Sequence, residues 1–477
     1  MKKIIYTLLS MFALLFTATS CDDFLDITPD GQAKRDELLK TQQGIEDALY
    51  GVYSQMRSPS LYGQELYFST LEILSQTMWC DDKGELSSMS EYKWSDTDVK
   101  SRFESVWTAM YKNISNVNSV LNSPLIEGAT TYPYTVYRGE ALGLRAFMHF
   151  DLVRLFAQQY TVNPSADGIP YATEFSLNTP AFESLEKNYE HILDDLHEAE
   201  LLLADEDEYE NERNFMLDRQ IHFNLRAVQA TLARVYLTMG DYTNAAHYAL
   251  AVINDGKYTL KEKTEVVDDL AGVLSKKETI FGIYHSGFYT NVNAKLQQIT
   301  SYSSLFLRDD FMSLYKKDAS GTDYRIMAYF TEVSTGNGKK YRLSKFTDIY
   351  ELNNNVSNRP QELILGINMI RIPEMYYIAS EALLNSDYDQ ALSLYNTVRT
   401  HRGLEELVDG VLTIERINDE RYKEMIGEGQ TYFNMKRQNL PIESYNSSES
   451  STERVFYKPS DGIYQIPIPD VEKENRN

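Results

Sequence analysis

Apolar residues recur at three- and four-residue steps through most of the chain, the spacing of one face of an α-helix. Over residues 35–56 the positions are Leu38, Leu39, Ile45, Leu49, Val52, Tyr53 and Met56. From Val99 to Leu121 they are Phe103, Val106, Met110, Ile114, Val117 and Leu121. The stretch 137–157 places Tyr137, Ala141, Leu144, Met148, Leu152 and Leu155 on one side and Phe147, Phe150 and Val153 on another, so this helix is expected to be enclosed by its neighbours. Period-two alternation is scarce. ETIFGIYHS (278–286) and KKYRLSKF (339–346) are the strand candidates, forming a small sheet or isolated hairpins. The pattern predicts an all-α fold of helix pairs with minor β-hairpins.

Two segments repeat each other. LTMGDYTNAAHYALAVINDG (237–256) and LLNSDYDQALSLYNTVRTHRG (383–403) align Asp241 with Asp387, Tyr242 with Tyr388, Ala245 with Ala391 and Val252 with Val398. Each reads as a helix, a tight Asp-Tyr turn with the tyrosine capping the hairpin, and a second helix opened by a small residue. This is the logic of tetratricopeptide pairs, which bury their apolar faces only by stacking on neighbours. Long polar or Pro/Gly-bearing connections fall at 79–98, 160–182, 286–304, 350–362 and 441–462. Connections of that length inside a compact helical body are commonly functional or disordered. No low-complexity linker divides the chain, so residues 21–477 are expected to form a single domain.

Residues 1–20 read differently. Lys2 and Lys3 precede an apolar run from Ile4 to Phe16, too short to span a bilayer, and small residues then lead directly into Cys21. This is the layout of a lipoprotein signal with a relaxed lipobox, Ala18 standing where the stricter motif has Leu. Acyl chains and a diacylglycerol on Cys21 are the expected modification, and no other cofactor is expected. Cys80 would then be the remaining thiol, which leaves no intramolecular disulfide, so stability must come from the core. Removing 1–20 takes Lys2 and Lys3 with it and leaves 44 basic against 70 acidic side chains, a charge of −26. A surface so acidic, without a basic run, argues against a nucleic-acid partner.

With these landmarks in place the chain resembles the SusD/RagB family of Bacteroidetes nutrient-binding lipoproteins. The likeness is carried in order by GIEDALYGVYSQM, RGEALGLRAFMHFDLVRLF (138–156), ILDDLHEAELLL, LARVYLTMGDYTNAAHYALAVIN, INMIRIPEMYYIASEALL, LYNTVRTHRGL and the terminal YQIPIPDVEKENRN. The resemblance implies a SusD-like helical fold with tetratricopeptide-like pairs and a lipid-anchored, outward-facing place on the outer membrane. It also implies a SusC-like TonB-dependent transporter as partner. It assigns Asp22 and Asp23, directly behind the lipidated cysteine, to export to the outer leaflet. Phe182 stands where the family has Arg. In ERYKEMIGEGQTYFNMKR the family usually carries Arg at Thr431 and Asp at Asn434. If those two pair, losing both strands no buried charge.

No catalytic signature is found: no Walker loop, dinucleotide fingerprint, nucleophile elbow or H-E-x-x-H. His191 and His197 are spaced wrongly to share a helix face as metal ligands. ADEDEYENER (204–213) fails the EF-hand pattern at Glu210 and Met216 and reads as a solvated inter-helix loop. Binding has better candidates. Trp107 lies in a helical stripe and reads as core. Trp79 and Trp94 flank a polar loop, and Tyr62 and Tyr289 sit on others. Exposed rings there would suit sugar CH faces, with Asp81 and Asn291 at hand for hydroxyl groups. A ring covering about 50 Å² contributes roughly 1.3 kcal/mol at 25 cal/mol per Å². Three such platforms reach about 4 kcal/mol, a millimolar affinity before ordering costs. The expected function is capture of an oligosaccharide and its delivery to the transporter. Peptide uptake of the RagB kind is the alternative, and a lipid-anchored hydrolase the less favoured one.

Overall fold

The computed structural model describes residue 35 and residues 37–474, apart from 81–83, 177, 179, 269–272, 297–304, 309, 318–319, 336–337, 361–362 and 446–453. The predicted leader 1–20, Cys21, Asp22 and Asp23, and the loop residue Asp81, lie outside the described residues. Among the described residues the helices that build the fold are α1 (Gln42–Met56), α2 (Thr97–Leu121), α3 (Tyr134–Phe156), α4 (Leu185–Leu203), α5 (Leu225–Met239), α6 (Tyr242–Asp255), α7 (Ile372–Leu383), α8 (Tyr388–His401), α9 (Ile414–Met425) and α10 (Gln430–Arg437). The all-α reading holds, and no helix among the described residues is long and apolar enough to cross a membrane.

The helix starts show what periodicity leaves out. Thr41 is extended and its side chain accepts the Gly44 N–H, so α1 begins at Gln42 and the preceding residues form a separate turn. Leu38, predicted on the apolar stripe, is consequently 42% exposed. Asp96 caps α2 by accepting from Asp98 and Val99. Helix α3 is buried on every side, as its two apolar faces predict, and it carries charged groups into the core. Each of these is matched: Glu140 with Arg219 (2.6 Å), Arg145 with Asp195 (2.6 Å) and Asp151 with Arg154.

The repeat is real in three dimensions, with one correction. α5 and α6 form one hairpin and α7 and α8 the other, with Ala245, Ala391, Val252 and Val398 fully buried in equivalent places. The aspartates do the capping. Asp241 accepts the Asn244 N–H at 3.0 Å and Asp387 the Gln390 N–H at 3.1 Å, while Tyr242 projects into solvent. The 204–213 stretch is also less solvated than expected. Glu206 is buried, accepting the Leu225 N–H at 2.6 Å and pairing with Arg219 at 2.5 Å, which ties the loop to the start of α5.

Among the described residues the strands form five two-stranded antiparallel pairs, and the candidates at 278–286 and 339–346 supply one strand each to two of them. In chain order β1 (Met78–Trp79) pairs with β5 (Phe306–Leu307), β2 (Asp167–Pro170) with β3 (Phe182–Ser184), β4 (Thr279–Tyr284) with β8 (Gly366–Arg371), and β6 (Phe330–Thr335) with β7 (Gly338–Leu343). The fifth pair joins Ile442–Glu443 to Phe456–Tyr457. β8 runs straight into α7. The β4–β8 pair is locked to the helices by ion pairs around Glu424 of α9, which accepts from Arg371 at 2.8 Å and Arg402 at 2.9 Å. These guanidiniums hold the Glu424 carboxyl well below the usual range against the cost of its burial. One contiguous apolar core runs from Leu39 to Ile468, and Trp79, Phe306 and Tyr445 make a small cluster apart from it.

Candidate functional site

A cleft of about 500 Å³ opens between one flank of α2 and the chain leaving β2. The α2 wall is Trp107, Thr108, Tyr111, Lys112 and Ser115, positions that helical spacing brings onto one face beside the core stripe of Phe103, Val106 and Met110. The Trp107 ring sits edge-on to Phe156 at 5.0 Å and 4.8 Å from Tyr111. Tyr111 donates to the Pro170 carbonyl at 2.7 Å, which pins the ring against the far wall. Burial raises its hydroxyl well above the ordinary tyrosine range, so it stays a neutral donor.

The second wall, Pro170 to Glu174, is held by side chains of α2 and α3. The Asn118 amide donates to the carbonyls of Ala172 (2.9 Å) and Glu174 (3.3 Å). Arg145 donates to Asn118 Oδ1 at 3.1 Å and to the Thr173 carbonyl at 3.3 Å, and Asn122 accepts the Phe175 N–H at 3.0 Å. His149 accepts the Ala172 N–H on Nε2 at 3.1 Å, which requires its Nδ1 to donate to the Arg145 carbonyl at 2.9 Å. Burial is the main cause that pulls His149 down to about 3, so the ring remains neutral and keeps that tautomer. Tyr171 stacks on His149 at 3.9 Å and donates to Asp195 at 2.6 Å. Thr108, Lys112, Ser115, Glu174, Ser176 and Asn178 line the rim, with Pro180 and Glu472 beside them. The arrangement is an aromatic floor with hydroxyl, amide and carboxylate groups around it, on a backbone that its neighbours hold still.

The residues chosen from loop position do not converge on this cleft. Tyr62 is 1% exposed; it donates to Asp151 at 2.9 Å and meets Tyr67 edge-on, so it is part of the core around α3. Trp79 is 7% exposed, packed between Phe306 and Tyr445 with Lys340 Nζ 4.0 Å over its ring, and its indole N–H donates to the Leu307 carbonyl at 3.1 Å. Trp94 is half-buried against Tyr92 and Phe103 and donates to the Gly462 carbonyl at 2.9 Å. Tyr289 is buried, and Asn291 is engaged with His285 at 3.0 Å and, through its carbonyl, with Gln64 at 3.2 Å. The expectation of exposed ring platforms at Tyr62, Trp79 and Tyr289 is overturned, because Tyr62 and Trp79 find tertiary partners and Tyr289 is buried in the apolar core. Trp107 is 3% exposed, as expected for a core residue, and it also forms the cleft floor. The signal in the sequence was the long 160–182 connection, which supplies the second wall.

The chain is helical by fold and a non-catalytic binding protein by kinship. Residues 23–237 match the family profile described as starch-binding and associating with the outer membrane, and residues 288–476 match that of the SusD family. The chain is 23% identical to SusD-like protein P2 of Formosa agariphila, over 97% of this chain and 96% of that one. Among solved structures it is similar to a SusD superfamily protein of Bacteroides thetaiotaomicron, with a TM-score of 0.75 and 25% identity over 91% of this chain and 98% of the other. It is also similar in fold to a SusD-like carbohydrate binding protein of Bacteroides vulgatus, with a TM-score of 0.70 and 19% identity over 91% and 96%. The chain belongs to the SusD/RagB family, carbohydrate-binding proteins of the outer-membrane surface rather than enzymes.

Proposed function

We propose that this protein is anchored by acyl chains on Cys21 to the outward face of the outer membrane, where it captures an oligosaccharide and passes it to a SusC-like TonB-dependent transporter. The observation that carries the ligand reading is the cleft: the half-buried Tyr111, backed by the buried Trp107, offers ring surface to sugar CH groups, and Thr108, Ser115, Glu174 and Asn178 stand within the same opening to meet hydroxyls. Asp22 and Asp23 supply the export signal behind the anchor. Weak capture suits a protein that must release its ligand to the next one.

Two experiments test this. Calorimetric titration of a glycan panel, with a peptide panel alongside, identifies the ligand class. Ser115→Trp, which fills the cleft, and Tyr111→Ala, which strips its floor, should each weaken the retained glycan by about tenfold or more. Unchanged affinity in both variants would move the site elsewhere. For the anchor, Cys21→Ala should abolish acylation and release the protein from membranes or leave its leader uncleaved. A variant still lipidated and displayed at the surface contradicts the lipobox.

A further inference from the structure

Away from the cleft, four arginines from four helices meet around a crevice of about 40 Å³: Arg154 of α3, Arg234 of α5, Arg421 of α9 and Arg437 of α10. That volume exceeds the 10–15 Å³ that one water molecule needs. Three carboxylates face the four guanidiniums. Asp151 pairs with Arg154, Glu374 takes both Nε (2.6 Å) and Nη2 (2.5 Å) of Arg234, and Glu381 is shared by Arg421 (2.7 Å) and Arg437 (2.5 Å). The fourth position in this charge pattern is filled by a neutral amide. Asn434 Oδ1 accepts from Arg421 at 2.8 Å and from Arg437 at 2.5 Å. The site therefore carries one uncompensated positive charge.

Two guanidinium N–H groups there have no protein acceptor among the described residues: Nε of Arg154 and Nη1 of Arg234, both on side chains more than nine-tenths buried. A buried charged donor left without an acceptor is strongly disfavoured. Arg154 cannot turn away to water, because its guanidinium is sandwiched between Phe433 at 3.8 Å and Phe150 at 4.3 Å. Lys436 adds to the positive field; burial first, and then Arg154, brings its ammonium down to about 7. Gln430 Oε1 already accepts from Arg154 at 3.2 Å, and this amide carries no charge.

We propose that this crevice binds a small monatomic anion, chloride being the one a cell surface meets, and that the ion is the fourth counter-charge of the arginine cluster. The ion joins α3, α5, α9 and α10 and acts as a structural ligand, independent of the glycan cleft.

The test uses the purified protein at constant ionic strength, melted in chloride, bromide, sulfate and gluconate salts. Chloride and bromide should raise the melting temperature by about 1–3 °C over gluconate along a saturable curve. Crystals in bromide should show an anomalous peak within hydrogen-bond distance of Arg234 Nη1 or Arg154 Nε. Asn434→Asp places a carboxylate between Arg421 and Arg437 while giving up the amide's bonds to Asn418 and Tyr422, so this variant should lose the halide response whatever its melting temperature in gluconate. The proposal is overturned by a halide response absent at constant ionic strength, by one that sulfate matches, by a bromide peak only elsewhere, or by an Asn434→Asp variant that responds like wild type. Should that variant not fold, the bromide position in the wild-type protein decides alone.

Discussion

Trp107 and the pair Trp79 and Trp94 place the same side chain in contrasting settings. Trp107 sits mid-helix on α2, where its neighbours at helical spacing fix which edge is covered by Phe156 and which meets the cleft. Trp79 and Trp94 sit at the ends of a polar connection, and both are used as staples. Their indole N–H groups donate to the carbonyls of Leu307 and Gly462, residues 228 and 368 positions further along the chain. A ring in a loop is not an exposed ring. What opens a cleft here is a rigid helix beside a wall that stands off from it, lined by the half-buried Tyr111 next to the buried Trp107.

The contrast can be broken by substitution. Trp107→Ala should cost about 3–5 kcal/mol, as a large aromatic truncation in a core does, and should also erase glycan binding. Thermal or denaturant unfolding measures the first and titration the second; a stable Trp107→Ala protein would remove the helix-flank account. Trp79→Ala should cost roughly 2–3 kcal/mol, since it empties a small cluster and strands the Leu307 carbonyl, yet leave glycan affinity unchanged. Loss of binding at full stability in this variant would restore the loop as the site. Acid sharpens the picture from the side of the wall. His149 is held neutral, its folded value near 3 lying below its unfolded one, so its contribution is complete above about pH 6.5 and is lost as pH falls. Between pH 7 and pH 5 it should account for about 2 kcal/mol of destabilisation. His149→Gln should remove that share of the pH dependence, read as the difference between the two proteins' unfolding free energies at each pH. Trp94→Ala, half-buried, should cost least, about 1–2 kcal/mol, with binding intact.

The helices were legible because their information is local. The stripes of α2 and α3 lie within a single window of sequence, and the Asp-Tyr repeat places Ala245 and Ala391 in equivalent buried positions. Which residue caps the hairpin is not legible, since the sequence aligns Asp and Tyr equally and only the folded chain shows the aspartate accepting an N–H. The candidate site was legible in part. The 160–182 connection stood out by length, but nothing local shows that Asn118, Arg145 and His149 reach it. The same limit hid the burial of Tyr62, whose partner Asp151 lies 89 residues on. At Thr431 and Asn434 the two arginines nearest the site, Arg421 and Arg437, share Glu381 as their counter-charge. Arg421 and Arg437 remain, and Asn434 serves both without charge.

The manner in which the 170–175 wall is held has a consequence for how the protein can diversify. The hydrogen bonds from Asn118, Arg145, His149 and Asn122 go to main-chain atoms of that segment, at Ala172, Thr173, Glu174 and Phe175, and the Tyr171 ring stacked on His149 adds a side-chain hold. The grip is therefore indifferent to which side chains the segment carries at Thr173, Glu174, Ser176 and Asn178. Randomising those positions should return mostly folded variants, so that selectivity can be rewritten in one short stretch while the helices that hold it stay as they are.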